Sequence, residues 1–188
     1  MPVREAIKIL VAEGIVVARP RTWAVVREFT VRDIQDFAEV REVVETLTFV
    51  FAAQRHDEAG AARMRAIVAR EQEAAAGDVE AARRASAEFH LYAVVLADNQ
   101  MLTEIARVFA PRLRWLFGQH DDVPGMIDDH MRILDALIAR DVDALRDLLP
   151  RHLRAGRVAA ERRLRSGPRG AVPDADHGPP GAASGTAG

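Results

Sequence analysis

The chain has 188 residues, 49% of them hydrophobic and 29% charged, with a net charge of −2 and no cysteine. That composition belongs to a globular protein with ample core, and it excludes a disulfide scaffold, cysteine-ligated zinc, a thiol nucleophile and a generally basic nucleic-acid-binding chain. No apolar run of about 18 residues offers a membrane span, and no basic region followed by a long apolar one opens the chain, so a cytoplasmic protein is expected.

Residues 2–13 begin with Pro2, a good first helical position. They repeat apolar side chains at Val3, Ala6, Ile7 and Leu10 and end at Gly14, which predicts one amphipathic helix with a glycine cap. Two short β-branched runs, Ile15 to Ala18 and Trp23 to Val26, flank a turn around Arg19-Pro20-Arg21-Thr22 and predict a hairpin. Thr30-Val31-Arg32-Asp33 then reads as a capping box opening a long helix marked by Ile34, Phe37, Val40, Val44, Leu47 and Phe51. Further helices are predicted over about 59–76, 79–97, 101–118 (bent or split at Pro111), 124–140 and 142–164.

The fold class is therefore all-α: an antiparallel helical bundle over residues 30–165, preceded by one helix plus a hairpin in residues 1–29. Residues 166–188, rich in Gly, Pro and Ala, are expected to form a disordered tail. Residues 1–29 hold five basic against three acidic side chains, so any contact with a polyanion is expected there.

Three histidines carry the chemical signal. Ile127, His130, Leu134 and Leu137 share one helix face, as do Leu145, Leu149, His152 and Gly156. His90 lies in a run, Phe89 to Ala97, so apolar that the helix reads as interior. Two readings follow from these positions. Each histidine is a separate core residue bonded to a nearby carbonyl, or the three converge on one buried point, where neutral imidazoles suit zinc and related divalent ions. A metal-dependent hydrolase is disfavoured, because no HExxH-type string and no placed carboxylate base accompanies them.

Several strings together resemble the FadR-type branch of the GntR bacterial transcription regulators. Pro2-Val3-Arg4-Glu5-Ala6-Ile7, followed by Ala12-Glu13-Gly14-Ile15-Val16, is similar to the end of that family's winged helix-turn-helix, where a recognition helix leads into the wing. Val40-Arg41-Glu42, Phe89-His90, Asp98-Asn99, Asp129-His130 and Arg151-His152-Leu153 are similar to its effector-binding domain. The resemblance spans about residues 2–164. It implies a ligand-responsive regulator, not an enzyme, that binds operator DNA, responds to a small carboxylate effector and acts as a homodimer.

Residue by residue, the resemblance makes His90, His130 and His152 the metal ligands and Arg41 an effector-binding residue, with Arg4, Arg19 and Arg21 facing DNA. Arg41 has a second reading as an i,i+4 helix-surface partner of Glu45, and the three other arginines as solvated charges. Two departures stand out. The family's DNA-binding domain has two helices before its recognition helix, so residues 1–29 form only a partial winged helix-turn-helix; either more chain lies upstream of Met1 or autonomous DNA binding is lost. The family's metal string is Asp-x-x-Phe-His, whereas here Ser86 stands four residues before His90 at the carboxylate position. Removing an anionic ligand leaves two expectations: a weakly held divalent ion such as zinc, or a metal-free pocket whose histidines bind the effector directly.

Overall fold

The computed structural model describes residues 2–19, 24–117 and 122–166, without the side chains of 112 and 114–117. Helix α1 (Pro2–Ala12) ends at Gly14, whose φ of 72° is the left-handed conformation glycine accepts readily. Strands β1 (Val16–Val17) and β2 (Val25–Val26) pair antiparallel, Val16 opposite Val26 and Val17 opposite Val25. The helix and the paired strands match the expectation over the described residues 2–19 and 24–26, although α1 buries no side chain, and the expected turn residues Pro20 and Thr22 and strand residue Trp23 lie outside the described residues. Arg21 and the expected tail beyond Ser166 lie outside the described residues.

Six helices follow: α2 (Val31–Arg55), α3 (Glu58–Ala75), α4 (Val79–Leu96), α5 (Gln100–Phe117), α6 (Val123–Ile138) and α7 (Val142–Ser166). Each is started by a short polar side chain that accepts a hydrogen bond from a backbone N–H of the first turn. The acceptors are Thr30, Asp57, Asp78, Asn99, Asp122 and Asp141. At Thr30 the full capping box forms, with Asp33 reaching back to the Thr30 N–H at 2.8 Å. Helix α5 runs through Pro111 as one helix, so of the two expectations there the split does not occur.

The helices pack around Phe49, Met64, Ile67, Phe89, Ile133, Leu137, Leu145 and Leu149, all fully buried. Helices α3 and α4 approach closely at Gly60, where a Cβ would come within 2.5 Å of Leu96 Cδ2. One sequence expectation is corrected here. In α2, Val40 and Leu47 are 50% and 43% exposed, whereas Arg41, Thr48, Phe49, Ala52 and Ala53 face the core. The buried face lies about one residue round the helix from the stripe through Val40 and Leu47.

Arginines close the helix ends. Arg140 donates to the carbonyls of Ala53, Gln54 and His56 at 2.7–2.8 Å, and Arg55 donates to those of Ala97 and Asp98. These carbonyls end a helix and lack intrahelical partners, so a charged donor there stabilises both the hydrogen bonds and the helix dipole. Arg140→Ala should lower the unfolding free energy by about 2 kcal/mol. Arg146→Ala, which loses only an exposed pair with Asp143, should stay within about 0.5 kcal/mol of the parent. Urea denaturation of both variants checks the difference.

Candidate functional site: a buried three-histidine centre

His90 on α4, His130 on α6 and His152 on α7 are all buried, and each presents one ring nitrogen to a common point. His152 Nε2 is 3.3 Å from His130 Nε2 and 3.4 Å from His90 Nε2. The convergent reading therefore holds. His56 shows the other kind of histidine, a core residue whose Nδ1 lies 3.1 Å from the Ala52 carbonyl oxygen.

The opposite edge of each ring faces a carboxylate. His130 Nδ1 lies 3.0 and 2.9 Å from the two oxygens of Glu71 on α3. Glu45 Oε2 on α2 lies 2.8 Å from His90 Nδ1, close but poorly aligned for a hydrogen bond. Asp129 Oδ2 on α6 is 3.4 Å from His152 Nδ1. Phe89 stacks on the His130 ring with centroids 4.5 Å apart and limits how that ring can turn. Acceptor oxygens at Nδ1 favour the tautomer with its proton there, which directs the Nε2 lone pairs inward.

Arg41 is 4% exposed and combines the two readings of its sequence position. It turns into the bundle, and it also pairs with Glu45, Nε to Oε1 at 2.6 Å. Ser86 is buried one turn before His90, and its hydroxyl donates to Met126 Sδ at 3.3 Å. Glu88 lies on another face and pairs with Arg70 at 2.8 Å. Arg4 and Arg19 are exposed, away from the centre.

Electrostatics separate the three acids. Burial alone would raise the Glu45 carboxyl, but Arg41 and then His90 outweigh it and hold the group well below the usual carboxylate range. A hydrogen bond from His152 lowers the Asp129 carboxyl against the opposing effect of burial. Burial pushes the Glu71 carboxyl up to about 8. His152 is lowered, chiefly by burial, which favours its neutral form.

Of these partners, sequence reasoning placed Glu45 only as a surface partner of Arg41 and Asp129 only within a string, and it missed Glu71. A signal for Glu71 existed. It continues the stripe Met64, Ile67, Val68 of α3, where a carboxylate has no bland explanation. As a donor set, three imidazoles with acids behind them fit a divalent ion of the zinc type: imidazole nitrogen suits such an ion, and the acids hold the rings in orientation.

Comparison with known proteins agrees with this architecture. The FCD domain matches residues 36–155. A curated protein of Paenarthrobacter nicotinovorans, "Probable D-xylose utilization operon transcriptional repressor", is 26% identical over 159 residues, covering 82% of this chain and 70% of that protein. E. coli McbR/YncC superposes with a TM-score of 0.74 at 20% identity over 85% of this chain and 83% of that one, a likeness of fold. A GntR structure from Rhodococcus sp. RHA1 gives a TM-score of 0.70 at 25% identity over 84% of this chain and 78% of that one. The chain belongs to the FCD domain family and is a GntR-family transcription regulator of the FadR type.

The buried acid sets a pH dependence. The folded Glu71 carboxyl keeps its proton up to about pH 8, while the unfolded one ionises near the ordinary glutamate value of 4.5. Unfolding in this window releases a proton, so rising pH favours the unfolded state. Chelator-treated protein should lose thermal stability between pH 6.5 and 8.5, a range above the ordinary histidine value. Glu71→Gln should flatten that slope while its amide oxygen still accepts from His130. A parent slope unchanged by Glu71→Gln in calorimetry would refute this assignment.

Proposed function

We propose that this regulator senses a small organic acid in its helical bundle through a divalent metal held by His90, His130 and His152. The observation that carries the reading is the convergence of three Nε2 atoms at one buried point with a carboxylate behind each ring. Arg41 is the effector-binding residue in this reading. Its guanidinium is buried beside Glu45, and a carboxylate effector would share it, since a planar fork pairs carboxylates in bidentate geometry.

Residues 1–29 form the DNA-facing unit, with Arg4 and Arg19 exposed for contact and Arg21 as a further wing contact. Residues 30–165 form the sensing and dimerisation unit. The homodimer uses the exposed apolar side chains Val40, Val43 and Leu47, which recur at i, i+3 and i+7 on α2. Two-fold pairing places two DNA-binding units on operator half-sites. A second reading, a ligand-binding dimerisation module without DNA binding of its own, is favoured by one observation: α1 buries no side chain and leaves Val3 and Ile9 exposed.

Two measurements test these statements. Zinc added to chelator-treated protein at a hundredfold over its dissociation constant should stabilise the fold by about 2.7 kcal/mol. For a domain of this size that raises the melting temperature by about 5–10 °C. His130→Ala should abolish the rise, and a parent melting temperature indifferent to zinc would remove the metal from the proposal. A gel shift with DNA from upstream of the protein's own gene separates the regulator with DNA binding, which retards the fragment, from the module without it.

A further inference from the structure

Among the described residues, α1, β1 and β2 pack on one another and on none of the helices α2 to α7. What fixes the N-terminal unit on the bundle must therefore lie in the chain that joins them, Arg27, Glu28, Phe29 and Thr30, between Val26 of β2 and Val31 of α2. A polar connection without contacts of its own would let the two units turn independently.

This connection is held from both sides. The Arg27 N–H donates to the Ile15 carbonyl at 2.8 Å, which ties its backbone to the start of the hairpin. Its guanidinium reaches the other way, to Asp33 in the first turn of α2. Asp33 divides its two oxygens between these duties. Its Oδ2 accepts from the Thr30 N–H and hydroxyl at 2.8 and 2.7 Å, and its Oδ1 accepts from Arg27. The carboxylate that completes the capping box of α2 thus also holds an arginine anchored on the hairpin.

Phe29 forms the apolar half of the joint. It packs with Phe37, Ala38 and Leu113 around the buried Ile34 and Ala160, so α2, α5 and α7 together make its seat. This cluster is separate from the main core around Phe49 and Phe89. The Arg27 guanidinium lies 5.1 Å from the centre of the Phe29 ring, within cation–π range, and a planar guanidinium can face a ring and pair a carboxylate at once. Swinging the hairpin away from α2 must part Arg27 from Asp33 and lift Phe29 from its seat.

We propose that Arg27 and Phe29 are positioning residues that fix the orientation of the N-terminal helix and hairpin on the bundle, with Asp33 as the anchoring acid. In a regulator, that orientation sets where each DNA-facing unit is presented. The DNA-facing role of residues 1–29 is the reading given under Proposed function, whereas the joint is measured without DNA, so each can fail without the other.

The test measures distances between paired spin labels on the full chain. The sequence has no cysteine, so Lys8→Cys on α1 and Arg146→Cys on α7, both exposed positions, carry the two labels alone. The parent should give one narrow distance distribution. Arg27→Ala and Phe29→Ala should each broaden it at least about twofold, and Arg27→Ala should speed amide exchange over residues 27–33 about tenfold. The melting temperature of Arg27→Ala should stay within about 2 °C, because the pair it removes is partly exposed. Arg27→Lys, which keeps the charge, should give a width between those of the parent and Arg27→Ala. A broad distribution in the parent would overturn the assignment, and a variant that leaves the width unchanged removes its residue from it. Should Arg27→Ala fail to fold, Arg27→Gln decides by the same width.

Discussion

Burying three imidazoles in an apolar helical interior is the constraint on which this structure depends. An unpaired polar group in such a place costs several kcal/mol, and an unpaired charge far more. The bundle meets the demand by placing an acid behind each ring: Glu45 of α2 at His90 of α4, Glu71 of α3 at His130 of α6, and Asp129 of α6 at His152 of α7. Five helices are thereby tied to one centre. None can rotate far about its axis without separating a buried ring from the acid beside it.

The rest of the fold accommodates that centre. Helix α2 turns Arg41, Thr48, Phe49 and two alanines inward, so a guanidinium can lie beside Glu45, and its apolar side chains Val40, Val43 and Leu47 lie at the surface. Apolar packing supplies cohesion away from the histidines, through Phe49, Met64, Ile67 and the leucines of α6 and α7. Polar caps at the helix starts and arginine clamps at the ends of α2 and α4 satisfy the backbone groups that the helices leave open. Polar recognition thus occupies the centre and the helix ends, with dispersion and hydrophobic burial between them.

Neighbouring structures share this architecture at 20–25% identity. Ser86 is the instructive position in this chain. Its hydroxyl, on the same face as His90, is used in a contact with Met126, while the side chains that converge at the centre are the three histidines.

Much of the fold was legible from sequence, because helix boundaries depend on local chemistry. Thr30 and Asp33 announce a capping box, Gly14 a left-handed turn, and the three-and-four spacing through His130 and His152 an interior face. Local rules also left two features open: α5 is not split at Pro111, and Val40 and Leu47 of the apolar stripe of α2 lie exposed. What only the tertiary structure decided is which side chains meet. Glu71 lies 59 residues from His130, and no short-range pattern reports a contact made by packing one helix against another. The sequence by itself determined that three histidines face inward, since amphipathic periodicity is a property of a single helix. That their Nε2 atoms share one point, each backed by an acid, was decided by the crossing of five helices, because convergence is a property of the bundle.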